Sequence, residues 1–195
     1  DNRLFNSHGH HVNTSLQLAE RENTIAFHYK MPMNEDPRYH SLTGSLAYQD
    51  KNWENTTTQL FTAALTRAYI EPRYKLSSGI ELRDEIYDIG DTSGESTLLL
   101  PSLNCGLIFA DDILNTKNGL QASIGLIGGL DGVISDASFL QATLSGKAII
   151  SPFQDWRIIG RGAAGITAVD SIDSLPPSLR FYTGGDNTIR GYKYK

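Results

Sequence analysis

The C-terminal part of the sequence contains an arginine whose neighbours suit it to bind a carboxylate. Arg190 follows the apolar Ile189 and precedes Gly191 and the aromatic Tyr192. Its guanidinium is permanently charged and offers a rigid fork of donors that matches a carboxylate. A bare Ile-Arg-Gly-Tyr tetrad is also compatible with a hairpin turn that carries a solvated arginine, so the wider context has to decide between the two interpretations.

The residues before this arginine favour a sharp reversal of the chain. Gly184 and Gly185 allow backbone conformations in which other residues would clash, and the Asp186 side chain can cap a tight turn. The pattern predicts a folded-back loop that presents one cation between apolar groups. The predicted residues of this loop motif are Gly184, Gly185, Asp186, Ile189, Arg190, Gly191 and Tyr192.

No combination of residues predicts catalysis or a cofactor. Nucleophilic catalysis needs a nucleophile and a base within reach of each other, and the sequence has no Gly-x-Ser-x-Gly or comparable setting. His8, His10 and His11 could in principle bind a metal ion, but we interpret them as polar residues at the entrance of a strand. Cys105, the single cysteine, cannot form an internal disulfide and is expected to pack in an apolar strand. We therefore predict no metal, no cofactor and no enzymatic activity.

Composition limits the class of protein. The length of 195 residues suits one domain, and hydrophobic residues are only 39% while glycine reaches 18 and tyrosine 9. No apolar run approaches the roughly eighteen residues that a membrane helix needs. The net charge of -5 argues against nucleic acid as a partner, because binding it needs clustered lysine and arginine. The first residues lack the pattern of a signal peptide, and we expect the chain to be a fragment of a longer protein.

Hydrophobic residues recur with a period of two, in blocks of about ten residues separated by turn residues, which is typical of a transmembrane β-barrel. The cleanest alternation lies at 139–150, where leucine, alanine and isoleucine alternate with polar residues. Pro101 lacks an N–H group and is expected to weaken or bulge its strand. Counting such blocks along the chain predicts nine antiparallel, up-and-down strands.

Charged residues on one face of several strands predict a wet interior. Glu81, Arg83 and Glu85 alternate with Ile80 and Leu82, and facing lipid would cost each charge a few kcal/mol. Such a charged row must face a lumen or water. The predicted lumen-wall charges are Lys30, Glu81, Arg83, Glu85, Lys147 and Arg161. Of these, Arg161 is expected to pair locally with Glu81 or Glu85.

A soluble β-sandwich would show the same alternation, but three features favour a barrel. The strands are about twice as long as those of soluble proteins, they form an unbroken series of hairpins, and aromatic residues lie near strand ends as they do in interface girdles. Those aromatics are Tyr29, Tyr48, Tyr69, Phe109 and Trp156. Because nine strands leave two free edges, which are costly in lipid, we expect part of a larger barrel.

The surroundings of Arg190 resemble the signature of the outer-membrane assembly-factor superfamily that includes BamA, TamA and the two-partner secretion transporters. That signature, (Val/Ile)-Arg-Gly-(Phe/Tyr) in the sixth extracellular loop, is similar to the segment from Ile189 to Tyr192. The segments from Leu175 to Phe181 and from Gly191 to Lys195 look closest to the TamA branch.

The resemblance implies an architecture. This chain would supply strands three to eleven of a sixteen-stranded barrel together with the loop at 169–195, while POTRA domains and the remaining strands would lie outside it. The loop would fold into the lumen, where Arg190 would pair with an acidic residue on a strand past Lys195. The turns expected outside the cell are 20–23, 50–55, 90–97 and 128–138, and those expected in the periplasm are 32–39, 71–75, 110–118 and 151–155.

The resemblance also implies a function. The protein would sit in the outer membrane of a Gram-negative bacterium and help insert or secrete autotransporter-like proteins. Its partners would be outer-membrane lipid, a TamB-like protein anchored in the inner membrane and the client proteins, with no nucleic acid. A two-partner secretion transporter of the same superfamily is the alternative, followed by a passive porin.

Overall fold

The computed structural model describes residues 9–33, 38–53, 56–89, 92–112, 115–132, 134–153, 156–169 and 179. The strands are β1 (His11–Leu18), β2 (Glu22–Pro32), β3 (His40–Trp53), β4 (Thr56–Ile70), β5 (Tyr74–Ile89), β6 (Thr92–Ala110), β7 (Gly119–Gly129), β8 (Phe139–Ile150) and β9 (Ile158–Val169). Each strand pairs antiparallel with the next, in one sheet whose spatial order follows the sequence. The prediction of nine antiparallel, up-and-down strands is therefore confirmed. Within the described ranges, no helix has the length and apolar character needed to cross a membrane.

The period of two gives the sheet two different faces, because successive side chains of a strand point to opposite sides. Direct ladder partners share a face, as Phe27 and Leu46 do. Their face, which we call the outer face, exposes large apolar side chains along the whole sheet, among them Leu16 at 65% and Leu144 at 53%. The opposite face, which we call the inner face, carries most of the polar residues.

The strands are staggered in the way that closing a barrel requires. Paired positions can be followed across the sheet from His11, the first residue of β1, through Lys30 and Ser102 to Thr167, which lies close to the end of β9. Such a progressive offset means that the strands tilt relative to the axis around which the sheet curls. We call the end with the turns after β1, β3, β5 and β7 the upper rim, and the other end the lower rim.

Several turns are shorter than the sequence predicted. β3 continues to Trp53 and β6 begins at Thr92, so residues 50–53 and 92–97 are strand, whereas both had been expected in loops. The polar residues of these segments still form ladder bonds with the neighbouring strand. Their polarity indicates exposure to water near the rim and does not indicate the end of a strand.

Pro101 marks the place where β6 loses one neighbour. The ladder to β5 runs through it without interruption, with Pro101 opposite Ile80, so the expected bulge is absent from this pairing. The ladder to β7 begins only at Ser102. Proline therefore stands at the boundary between the part of β6 that pairs on both sides and the part that pairs with β5 alone.

The loop between β7 and β8 completes the edge of β6 above this boundary. The backbone N–H of Leu99 donates to Ser135 Oγ at 2.9 Å, and that of Thr97 donates to Asp136 Oδ2 at 2.7 Å. Alternate N–H groups of a strand point to the same side, so an N–H at position 101 would point in the same direction as those of Thr97 and Leu99. The ladder to β7 does not extend to this position, and the lack of an N–H in Pro101 therefore breaks no ladder bond. The loop therefore satisfies backbone donors that β7 does not reach.

Aromatic side chains gather on the outer face at the lower rim. The ring centroid of Tyr69 lies 4.4 Å from that of His40 and 5.5 Å from that of Tyr74. Phe109 and Trp156, at the same rim, are 52% and 66% exposed. Exposed aromatics in a band near the strand ends are the pattern of an interface girdle.

The cysteine singled out in the sequence lies on β6, whereas His10 and His11 lie at the start of β1. Cys105 lies in an apolar strand, as expected, but its side chain is exposed on the outer face, opposite Leu76. His11 opens β1 as predicted, and His10 Nδ1 lies 2.5 Å from the hydroxyl of Tyr29. His8 lies outside the described residues.

Candidate functional site

The strand register puts the six predicted wall charges on the inner face. Lys30 is joined to Gly79 through successive ladder partners. Gly79 lies on the same face of β5 as Glu81, Arg83 and Glu85, because alternate residues of a strand share a face. Lys147 of β8 lies directly opposite Arg161 of β9. The residues that therefore share the inner face are Lys30, Glu81, Arg83, Glu85, Lys147 and Arg161.

The charges of β5 form an acidic group toward the upper rim. Arg83 Nη2 lies 2.7 Å from Glu81 Oε1, and Arg83 Nε donates to the same oxygen at 2.9 Å. The two side chains are 16% and 30% exposed, so water screens this pair only in part. Glu85 is the next acidic residue on the same face and is 1% exposed.

Arg161 does not lie beside the acids that the sequence suggested as partners. β9 is four strands away from β5 in the sheet, a path of roughly 19 Å at the usual strand spacing. Glu81 is bound by Arg83, whereas the direct ladder partner of Arg161 is the like charge of Lys147. Neither Glu81 nor Glu85, the two acids expected as local partners, lies on a strand next to that of Arg161. The lower part of the inner face is instead basic.

An apolar cluster covers the inner wall beside the acidic group. Leu98 and Leu100 of β6 have 0% exposure and pack with Ala137, Phe139 and Leu179. Side chains on one face of a single sheet leave water only when a second layer covers them. Leu179, which lies beyond the end of β9 at 169, belongs to that second layer.

Gln141 holds the returning chain against the wall. Its Nε2 donates to the backbone carbonyl oxygen of Leu179 at 2.9 Å and to Thr167 Oγ1 at 2.9 Å. Gln141 is 8% exposed, so both bonds form away from water, where an unmade bond is costly. Sequence reasoning did not single out this residue, because it is one of several polar residues that alternate along β8. What distinguishes Gln141 is its bond to the backbone carbonyl oxygen of Leu179, which lies far from it in the sequence.

Ser96 and Glu85 form a buried polar pair next to the cluster. They are direct ladder partners with 6% and 1% exposure. Among the residues that the structure describes, the Ser96 hydroxyl oxygen has no hydrogen-bond partner.

The predicted loop motif, with Gly184, Gly185, Asp186, Ile189, Arg190, Gly191 and Tyr192, lies outside the described residues. Its role therefore stays a prediction. Leu179 is the residue of this loop whose contacts are known.

The fold defines the class of this protein as an antiparallel β-barrel wall with an apolar outer face and a charged inner face. Residues 5–195 match the family described as the Omp85 superfamily domain. The chain belongs to the Omp85 superfamily.

A solved structure with the same fold is "The crystal structure of BamA from Haemophilus ducreyi lacking POTRA domains 1-3". The TM-score is 0.81 at 14% sequence identity, and the match covers 96% of this chain and 41% of that chain. This chain therefore spans less than half the length of the BamA chain that it resembles.

Proposed function

We propose that this chain is the barrel part of an integral outer-membrane protein of a Gram-negative bacterium that helps to insert or secrete other outer-membrane proteins. Superfamily membership, the apolar outer face and the charged inner face support this assignment. The observation that carries it is the bond between Gln141 and the Leu179 carbonyl. This bond holds Leu179, which precedes the Arg190 motif in the sequence, against the inner wall. A loop that acts inside a lumen has to start from such a position.

Within the superfamily we assign the chain to the TamA branch, on the sequence around the motif from Leu175 to Lys195. Its clients are then autotransporter-like proteins, and its partner is a TamB-like protein anchored in the inner membrane. The chain supplies strands three to eleven of a sixteen-stranded barrel, and POTRA domains precede it. Under this assignment the upper rim faces the outside of the cell and the lower rim faces the periplasm.

The proposed mechanism needs no covalent chemistry. Arg190 binds a carboxylate on a strand past Lys195, and this charge-assisted pair is stronger in a partly enclosed lumen than at a surface. Ile189 and Tyr192 pack against the wall on either side of it. The work of insertion comes from folding of the client and from the exchange of hydrogen bonds at strand edges.

The test uses Arg190→Ala in the complete protein, with Arg157→Ala as a matched control. Arg157 is an exposed arginine of the lower rim that donates to Asn115 Oδ1 at 2.8 Å. We expect Arg190→Ala to lower the surface display of an autotransporter-like client and to speed proteolysis of the loop, and we expect the control to change neither. If display and proteolysis both stay as in the wild type, Arg190 does not have this role.

Two measurements separate the alternatives. A two-partner secretion transporter would carry a plug helix and only two POTRA domains before this chain, which the flanking sequence would reveal. A passive porin would give a large and steady single-channel conductance in planar bilayers. Either result would replace the proposed function.

A further inference from the structure

We propose that the outer face contains a binding site for one glycerophospholipid, in which an apolar groove over β3 and β4 takes an acyl chain and the guanidinium of Arg67 binds the phosphate. The inference rests on the proposed function only in that the outer face meets lipid. General contact between a barrel and a bilayer does not require such a site, because it needs no lipid to be held at a fixed place.

The groove is a recess between large apolar side chains, with a volume of about 420 Å³. Gly44 lies opposite Leu65 in the ladder and Ala63 lies opposite Leu46, so each small residue stands beside a large one. A Cβ atom added at Gly44 would meet nothing within 4 Å. Phe27 lines the groove on the side of β2. A flexible hydrocarbon chain suits a recess of this shape and polarity.

Arg67 puts a positive charge on the same face, just below the groove. It follows Leu65 by two positions on β4, and its ladder partners are Leu42 and Ser78. Leu42 lies four residues from Leu46, the residue near the middle of β3, which is roughly 13 Å along the strand and about 10 Å along the axis of a tilted barrel. Because the apolar band of a membrane barrel is about 25 Å tall, Arg67 lies near its lower border.

The Arg67 side chain can reach the phosphate of a lipid from this depth. Its apolar stem can remain against hydrocarbon while the charged end extends to the headgroups. Arg67 is exposed and also has an interaction within the protein. A guanidinium has five N–H donors in a planar fork and often binds phosphate with two of them, so both interactions can coexist.

Aromatic side chains lie at the level expected for the headgroup. His40 and Tyr69 are direct ladder partners, one step below Arg67 on the outer face, and their ring centroids are 4.4 Å apart. The hydroxyl of Tyr74 donates to that of Tyr69 at 3.2 Å. Rings with a polar end collect where one side is apolar and the other is wet, so the groove opens toward the membrane interface.

A second guanidinium lies beside this aromatic group. The Arg38 guanidinium carbon is 5.3 Å from the centroid of the Tyr39 ring, and that centroid is 6.2 Å from the centroid of the Tyr69 ring. Two arginines therefore lie at the end of the groove that faces the headgroups. The phosphate of a phospholipid is an anion found at this depth, and its charge complements both arginines.

The experiment measures binding of dioleoylphosphatidylglycerol to the complete protein in a nonionic detergent, by native mass spectrometry during a lipid titration. We expect one lipid to bind more tightly than further copies. Dioleoylglycerol, which has the same chains and no phosphate, should not compete for this first site. Arg67→Gln should weaken the first binding step about fivefold, the contribution of one arginine near an anionic headgroup, and Arg67→Lys should retain part of the affinity.

Filling the groove tests the other half of the site. Gly44→Leu should weaken the first binding step about threefold, because the acyl chain loses its packing against the wall while detergent still solvates it. Gly160→Leu is the matched control, since Gly160 lies on the outer face of β9 and a Cβ atom there also meets nothing within 4 Å. Ala63→Val narrows the same groove and replaces Gly44→Leu if that variant does not fold.

The arginine has a matched control as well. Arg157→Gln removes an exposed arginine of the lower rim and should leave binding unchanged. Equal weakening by Arg67→Gln and Arg157→Gln would mean that lipid is attracted to the rim in general, and equal weakening by the two leucine variants, or competition by dioleoylglycerol, would also overturn the proposal. Because binding is measured without a client, failure here is distinguishable from failure of the proposed function, which is read from client display.

Discussion

The side-chain amide of Gln141 donates a hydrogen bond of 2.9 Å to the backbone carbonyl oxygen of Leu179. The same Nε2 donates to Thr167 Oγ1 at 2.9 Å, so one buried side chain ties β8 to β9 and to the segment that follows β9. A change at Gln141 should therefore release the returning chain without opening the sheet.

Gln141→Leu should lower the stability of the returned segment by about 1–3 kcal/mol, because it leaves a buried carbonyl oxygen without its donor. The measurement is hydrogen exchange of the peptide that contains residue 179, in the complete protein. Gln121→Leu is the matched control, since Gln121 is an exposed residue on the inner face of β7. Unchanged exchange at 179 in Gln141→Leu would mean that packing of Leu179 alone holds the segment.

Ser135→Ala should expose the upper edge of β6. The variant removes the acceptor of the Leu99 N–H bond at 2.9 Å, and β7 does not reach this part of the strand. We expect faster amide exchange at Leu99 and a loss of stability of about 1 kcal/mol.

Ser138→Ala is the comparison for that variant, because Ser138 Oγ accepts a bond from Asp131 N, within the same loop. Its effect should stay inside the loop. Equal exchange at Leu99 in both variants would show that Ser135 does not protect the edge of β6.

Asp111 organises the turn between β6 and β7. Its Oδ1 accepts bonds from Asp112 N at 2.9 Å and Lys117 N at 3.0 Å, and its Oδ2 accepts one from Asn118 N at 2.9 Å. Partial desolvation raises the pKa of this carboxyl, but the backbone donors outweigh it and hold the pKa below its ordinary value.

This lowered pKa predicts how the order of the turn depends on pH. The contribution of Asp111 is complete above the ordinary pKa of about 4 and is lost as the pH falls through the lower pKa of the folded state. We expect the protection factors of the amides at 112, 117 and 118 to fall at acid pH in the wild type. In Asp111→Asn they should be low already near pH 6, whereas Asp131→Asn should behave as the wild type. A pH-independent protection factor in the wild type would contradict this assignment.

The sequence was sufficient to predict the strands, because alternation with a period of two survives wherever one face is apolar and the other is wet. It placed Glu85 on the inner face for that reason. It did not indicate that Glu85 and Ser96 would be buried, since burial comes from a second layer that a local pattern does not encode. The role of Gln141 could not be predicted for the same reason. The end of β3 and the start of β6 were missed because polar residues near a rim resemble those of a loop.

A pair of neighbouring residues tests whether the outer face is the side that meets lipid. Leu46 is 50% exposed on the outer face, near the middle of β3, while Ser45 points to the inner face opposite His28. In lipid vesicles, Leu46→Arg should lower the free energy of unfolding by about 2–4 kcal/mol, the cost of an arginine near the midplane of a bilayer. Ser45→Arg should cost less than about 1 kcal/mol, because its charge enters a wet interior that also contains Glu81. Denaturant titration of both variants measures the difference, and equal costs would show that the two faces do not meet different solvents.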